Sequence, residues 1–300
     1  MSLVLEKEAA FLELAPLPKK QQPAFLVRAQ LAERHVVVPD LHGEYRVLED
    51  IIDAYIDEAD IDFVFLGDIL DRKGAPNDPE KGVFRTLDMV KQLGNRAVVT
   101  IANHEWLFHA SGSAADPHRQ VIAKEWLSSG PKHSIEQNVL AAYDMDPWRR
   151  DYTTVDELRR RMARVGHLSL LSNATPYFET INFIATHAGV MPGVPWEVQR
   201  NYLNEVSQEM DDGLFYDRPP QWFSMKLATS TEPIQHTKKT VVSGHAHVLR
   251  HQSKRYPLQS SERSLHDGRR IRLASTLNHP TSASAYVWQD WDGRIVEIPR

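Results

Sequence analysis

Five short apolar runs in this chain each stop at a cluster of aspartate, histidine, asparagine or glycine. Residues 35–39 lead into Asp40-Leu41-His42-Gly43, and residues 62–66 into Gly67-Asp68-Ile69-Leu70-Asp71-Arg72. Residues 97–101 precede Asn103-His104-Glu105, residues 181–186 precede His187-Ala188-Gly189, and residues 240–243 precede Gly244-His245-Ala246-His247. Short β-branched runs bounded by polar residues read as buried strands. Residues 44–56, with Val47, Leu48, Ile51, Ile52 and Tyr55 in one stripe, and residues 83–93 read as helices between them. Strand–helix alternation at this spacing predicts an α/β fold whose parallel strands are buried on both faces. The carboxyl ends of such strands share the edge where ligands bind. The five clusters are therefore expected to meet in space.

Each cluster alone has an ordinary explanation. An Asp-x-His pair reads as a helix cap beside a surface histidine. Gly-Asp-x-x-Asp-Arg reads as a turn with an ion pair, Asn-His-Glu as a cap, and His187 as a hydrogen-bonded structural residue. In Gly-His-Ala-His, alternate residues of an extended segment point the same way. Recurrence at five successive strand ends is what these explanations leave out. Carboxylate, imidazole and amide oxygen together suit borderline divalent ions such as Mn²⁺, Fe²⁺ and Zn²⁺. Two such ions about 3.5–4 Å apart need a shared carboxylate and can hold a hydroxide between them. Glycines at 43, 67 and 244 permit sharp turns or close backbone approach.

Other features narrow the function classes. With no cysteine among 300 residues, disulfides, thiolate zinc sites and iron–sulfur clusters are excluded. A net charge of −5 offers no broad basic field for nucleic acid. No apolar run approaches the roughly 20 residues that span a bilayer, and the N-terminus lacks the pattern of a signal peptide. A cytoplasmic protein without membrane contact is expected. Residues 1–30 read as a leader and 31–300 as one domain, with 106–170 a charged helical insert. Arg149-Arg150 and Arg159-Arg160-Arg161 read as a solvated face in preference to a substrate patch. Histidines outside the clusters, His35 and His167 among them, are taken as structural.

At the clustered residues the sequence resembles the calcineurin-like metallophosphoesterases, nearest the branch of serine/threonine phosphoprotein phosphatases and bacterial diadenosine tetraphosphatases. The ordered motifs span about residues 34–250. Asp71-Arg72, Trp126-Leu127 with Gly130, and His187-Ala-Gly-Val-Met-Pro192 point to that branch. The resemblance implies a four-layer α/β/β/α sandwich with a helical insert. It implies that Asp40 and His42 hold a first metal, Asp68 bridges two, and Asn103, His187 and His245 hold the second. His247 matches a further ligand of the first metal, which the phosphoprotein phosphatases generally lack. Arg72 would clamp phosphate oxygens, and His104, oriented by Asp71, would protonate the leaving group. The implied activity is hydrolysis of a phosphomonoester, phosphoprotein or small molecule, by a hydroxide bridging two divalent ions, manganese first and iron or zinc as alternatives. A dinucleoside polyphosphate hydrolase is the rival reading, and a non-catalytic binding protein on this fold is the rival of another class.

Three departures from the family pattern bear on the substrate. Ile101-Ala102 precedes Asn103 where arginine and glycine are usual, and Trp222 leads into Phe-Ser-Met-Lys226 where an arginine is frequent. A lysine there is not an equivalent clamp. Gly244-His245-Ala246-His247 replaces Gly-His-Thr.

Overall fold

The computed structural model describes residues 34–70, 81–111, 116–127, 135–212, 225–234, 237–245, 264–266, 268–273, 282–289 and 292–299. The expected leader, Asp71, Arg72, Gly130, Trp222 and His247 lie outside the described residues.

β1 (Arg34–Val38), β2 (Ile61–Phe65) and β3 (Ala97–Val99) run parallel in register, Val37 opposite Val64 and Val64 opposite Val98. β4 (Phe178–Glu179), β5 (Phe183–Thr186), β6 (Thr240–Ser243), β7 (Ser264–Leu265) and β8 (Arg270–Arg272) form a second sheet. Its order is β4-β5-β6-β8-β7, with β5, β6 and β8 parallel and antiparallel strands at both edges. β9 (Ser282–Gln289) pairs antiparallel with β1, and β10 (Asp292–Pro299) with β9, giving the first sheet the order β10-β9-β1-β2-β3. The turn signal near Asp292-Gly293 corresponds to this β9–β10 hairpin.

Alternation along the strands sets the layers, because successive side chains point to opposite faces. Val37, Val64 and Val98 of the first sheet meet Phe183, Ala185, Val242 and Ile271 of the second in one buried cluster. Val36, Val38, Phe63, Phe65 and Val99 face the other way, against α1 (Tyr45–Tyr55) and α2 (Gly82–Gln92). The far face of the second sheet, through Ile184 and Val241, packs on Trp196 and Leu203 of α8 (Trp196–Asp212) and Leu227 of α9 (Met225–Ala228). The layers thus run helix, sheet, sheet, helix. Each fully buried valine or phenylalanine contributes roughly 1.5–3 kcal/mol to that packing.

Between the sheets in sequence come α3 (Asn103–Ala110), α4 (Pro117–Leu127), α5 (Ile135–Ala142), α6 (Thr153–Arg164) and α7 (His167–Ser172). Phe108, Trp126, Val139, Leu158 and Leu171 bind them into the helix-side core. Arg149 pairs with Asp151, and Arg160 and Arg161 pair with Glu157 on the surface, as a solvated face should. Arg159 instead lies 5.4 Å over the Phe108 ring.

Two strands are shorter than their apolar runs. Thr100 leaves β3 for an isolated bridge to Thr175, where the Ile101 N–H donates to the Thr175 carbonyl at 2.7 Å. The run at 181–186 starts with Ile181 74% exposed, because the Thr180 hydroxyl accepts from the Asn182 and Phe183 N–H groups at 3.1 Å and closes a turn before β5.

Candidate dinuclear centre

The loops that leave β1 and β2 continue the sheet's ladder. The Leu66 N–H donates to the Val38 carbonyl at 2.9 Å, and the His42 N–H to the Asp68 carbonyl at 2.7 Å. β5 and β6 are joined in the same way, the Gly244 N–H donating to the His187 carbonyl at 2.7 Å. This stitching brings the strand ends together and holds their backbones in unusual shapes. His42, Asp68 and His245 all have positive φ, at 47°, 47° and 61°. Non-glycine residues seldom adopt that region, and such strain persists only where surrounding structure fixes it. Two glycines are required by space. A Cβ on Gly244 would sit 2.3 Å from Asp40 Oδ1, and one on Gly67 2.5 Å from the Ala102 Cβ.

Asp68 stands at the middle. Its Oδ2 lies 3.5 Å from His187 Nε2, 3.7 Å from His42 Nε2 and 3.9 Å from His104 Nε2. Two groups of ligand atoms, Asp40-Asp68-His187-His245 and His42-Asp68-His104, share this carboxylate, and within each all atoms fall within 4.8 Å of one another. His245 is held by its N–H, which donates to Asp40 Oδ1 at 2.9 Å. Asn103 reaches the first group through Oδ1, 2.9 Å from His187 Nε2. Asp40, His42, Asp68 and His187 are all buried. Burial, with Asp40 and Glu105 nearby, pushes the Asp68 carboxyl well above the usual carboxylate range, and the adjacent His104 opposes the shift.

His187 tests whether cations fit. Burial pushes its imidazole down to about 3, so the ring is neutral and carries one N–H. Its Nδ1 lies 2.9 Å from the Leu66 carbonyl, an acceptor that takes that proton. Nε2 then presents a lone pair to Asn103 Oδ1 at 2.9 Å and His245 Nδ1 at 2.8 Å, with Asp68 Oδ2 beyond. One proton cannot serve both sides of the ring. A divalent ion accommodates converging lone pairs, and metal-bound histidines commonly donate their other ring N–H to a carbonyl. The donor set fits two divalent cations that share Asp68.

Of the expected site residues, Asp40, His42, Asp68, Asn103, His104, His187 and His245 are brought together. The resemblance set Asp40 with His42 and kept His104 off the ligand set, whereas by distance Asp40 groups with His187 and His245, and His104 with His42. Asp71, Arg72 and His247 are outside the described residues. One residue was passed over. Glu105 is 0% exposed, and its carboxylate accepts from the N–H groups of Asp68 at 2.8 Å, Ile69 at 2.9 Å and Leu70 at 3.0 Å. The signal was an acid in the first turn of a helix that starts at a strand end, where it faces a neighbouring loop as readily as its own helix.

No curated protein matches the chain. Among solved structures, a proposed diadenosine tetraphosphatase is 20% identical, with 89% of this chain and 94% of that one covered and a TM-score of 0.47. A cold-active protein-tyrosine phosphatase of a psychrophilic Shewanella is 15% identical over 94% of this chain and 86% of its own, TM-score 0.48. A protein serine/threonine phosphatase from Saccharomyces cerevisiae is 13% identical over 100% and 96%, TM-score 0.45. Among the described residues no helix is long and apolar enough to cross a membrane. The model of the calcineurin-like phosphoesterases matches residues 34–254, most of the chain, and the protein belongs to that family.

Proposed function

We propose that the protein hydrolyses phosphomonoesters with two divalent ions held by Asp40, His42, Asp68, Asn103, His187 and His245, Asp68 being common to both. The observation that carries this reading is the single Asp68 oxygen faced by three imidazole nitrogens and shared between two ligand groups. Mn²⁺ is the first ion to offer, since the set mixes carboxylate, imidazole and amide oxygen. When bound, the ions supply the Lewis acidity that activates water and offsets charge on phosphate oxygens.

The chain's own residues do the rest. Asp68, fixed at positive φ, keeps one oxygen in the centre of the site. The His187 Nδ1–H, donating to the Leu66 carbonyl, holds the ring and its tautomer and turns the Nε2 lone pair toward the ion site. His104, its side chain 21% exposed, is the more open of the histidines facing Asp68, and this openness supports assigning it the proton given to the departing oxygen. Arg72 is proposed from its motif as the clamp on phosphate oxygens.

Leaving-group dependence tests the reading. An alkoxide needs a proton on departure and a nitrophenolate does not. His104→Asn is expected to lose about 10²–10⁴-fold on an alkyl phosphate and far less on nitrophenyl phosphate, at saturating Mn²⁺ in both assays. Equal losses, with chemistry limiting on both substrates, would remove the proton-donor role. Turnover of a diadenosine tetraphosphate in preference to any monoester would overturn the proposed substrate class.

A further inference from the structure

Glu105 is buried within a cluster that already holds Asp40 and Asp68, an arrangement that disfavours a third carboxylate unless it has work to do. An acid in the first turn of a helix ordinarily serves that helix's own amides. Here both carboxylate oxygens accept from a different segment: Oε2 from the Asp68 N–H at 2.8 Å, Oε1 from Ile69 at 2.9 Å and Leu70 at 3.0 Å. Three successive amides converge on one side chain, as in backbone anion nests. The segment so gripped carries Asp68 at φ 47° and follows Gly67, whose φ is 82° and which abuts Ala102 and Thr100 with no room for a Cβ. The same turn of α3 supplies Asn103 and His104, and the His104 N–H lies 3.3 Å from Asp68 Oδ1.

We propose that Glu105 is a positioning residue for both ion sites: it moulds the 67–70 loop and so aims the Asp68 carboxylate that the two sites share. This rests on the two-ion reading above. Glu105 need not touch substrate or ion to act. Turning the loop by a small angle moves one oxygen relative to His42, His104 and His187 at once, so both ions feel it. An isosteric Glu105→Gln keeps the volume and sets an amide NH₂ against the loop's N–H donors. Glu105→Asp keeps the charge and retracts it by one methylene, out of reach of the amides.

Mn²⁺ titration calorimetry on the full chain tests this, with hydrogen exchange at amides 68–70 in metal-free protein. Partner residues beyond the ligands typically govern affinity by about 10–100-fold. Both variants are expected to lose that much affinity in both binding events, and the three amides to exchange faster than in wild type. Lowered thermal stability with unchanged Mn²⁺ affinity would reduce Glu105 to a fold-supporting residue. Wild-type affinity in Glu105→Asp would show that charge alone matters and would overturn positioning. Should the variants fail to fold, the wild type still decides: Mn²⁺ binding that slows exchange at amides 68–70 supports the coupling of this loop to the ions, and exchange there unchanged by Mn²⁺ overturns it. Wild type that binds no Mn²⁺ would sink the two-ion reading itself, a result separable from every other outcome.

Discussion

Two polar clusters in this molecule, one running from the core to the surface and one at the buried strand ends, obey opposite rules. In the helical region, Tyr143, His167, Asp88 and Lys91 form a closed chain. The Tyr143 hydroxyl lies 2.6 Å from His167 Nδ1, His167 Nε2 3.4 Å from Asp88 Oδ1, and Lys91 Nζ 2.7 Å from the same oxygen. A neutral His167 serves every contact there, accepting at Nδ1 and donating at Nε2. At the strand ends, by contrast, His187 meets acceptors on both sides, and Asp68 sits among further carboxylates. A cluster built for stability pairs each donor with an acceptor, whereas one built for a ligand leaves like groups facing each other. The described backbone agrees: positive φ falls on three of the site residues and on none of Tyr143, His167, Asp88 and Lys91.

The sharpest way to break this contrast is Asp68→Asn. The shared carboxylate loses its charge, so Mn²⁺ content should collapse at both sites, and kcat/KM should fall by at least about 10³-fold, roughly 4 kcal/mol. Unchanged metal content would erase the distinction between the clusters. Next comes Gly244→Ala, whose methyl would have to displace Asp40 from 2.3 Å. Mn²⁺ affinity should drop about 10–100-fold, read by titration, with the fold retained.

The paired cluster should respond in the other currency. Tyr143→Phe leaves His167 Nδ1 without its donor and should cost about 1–3 kcal/mol in urea unfolding, with metal content as in wild type. His167 also gives a pH signature. Burial, aided by Lys91, holds its imidazole below the ordinary 6.5 against the pull of Asp88. As pH falls through that value, the unfolded chain takes up a proton that the folded chain refuses. Stability should therefore decline from pH 7 toward the lowered folded value, and the slope should be shallower in His167→Gln. Smallest is Arg160→Ala, an exposed partner of Glu157, expected within about 0.5 kcal/mol of wild type.

Much of this was legible in the sequence, for physical reasons. Strands buried on both faces leave continuous apolar runs, so 35–39, 62–66 and 240–243 were read within a residue of β1, β2 and β6. Site residues at strand ends inherit that legibility, which is why the clusters holding Asp40, Asp68 and His187 could be expected to meet from order, while their individual roles came from the family resemblance. β4 and β7 span two residues each and have no periodicity to read. The early end of β3 and the late start of β5 depend on bonds to Thr175 and Thr180, tertiary and turn contacts that apolar content does not encode. Glu105 was passed over because its position in the first turn of α3 was the one signal, and its partners are backbone amides of another segment, which the sequence does not name. His167 was read as structural from its lack of a motif, and its closed hydrogen-bond chain is what such a histidine should have.

The most direct test is to strip the wild-type protein of metal, reconstitute it with Mn²⁺, and measure bound metal per folded chain by elemental analysis. Two ions per chain is the expected result, falling toward zero in Asp68→Asn while Tyr143→Phe retains both. A folded wild-type chain that saturates at one ion or none, and hydrolyses phosphomonoesters regardless, would contradict the shared-carboxylate centre.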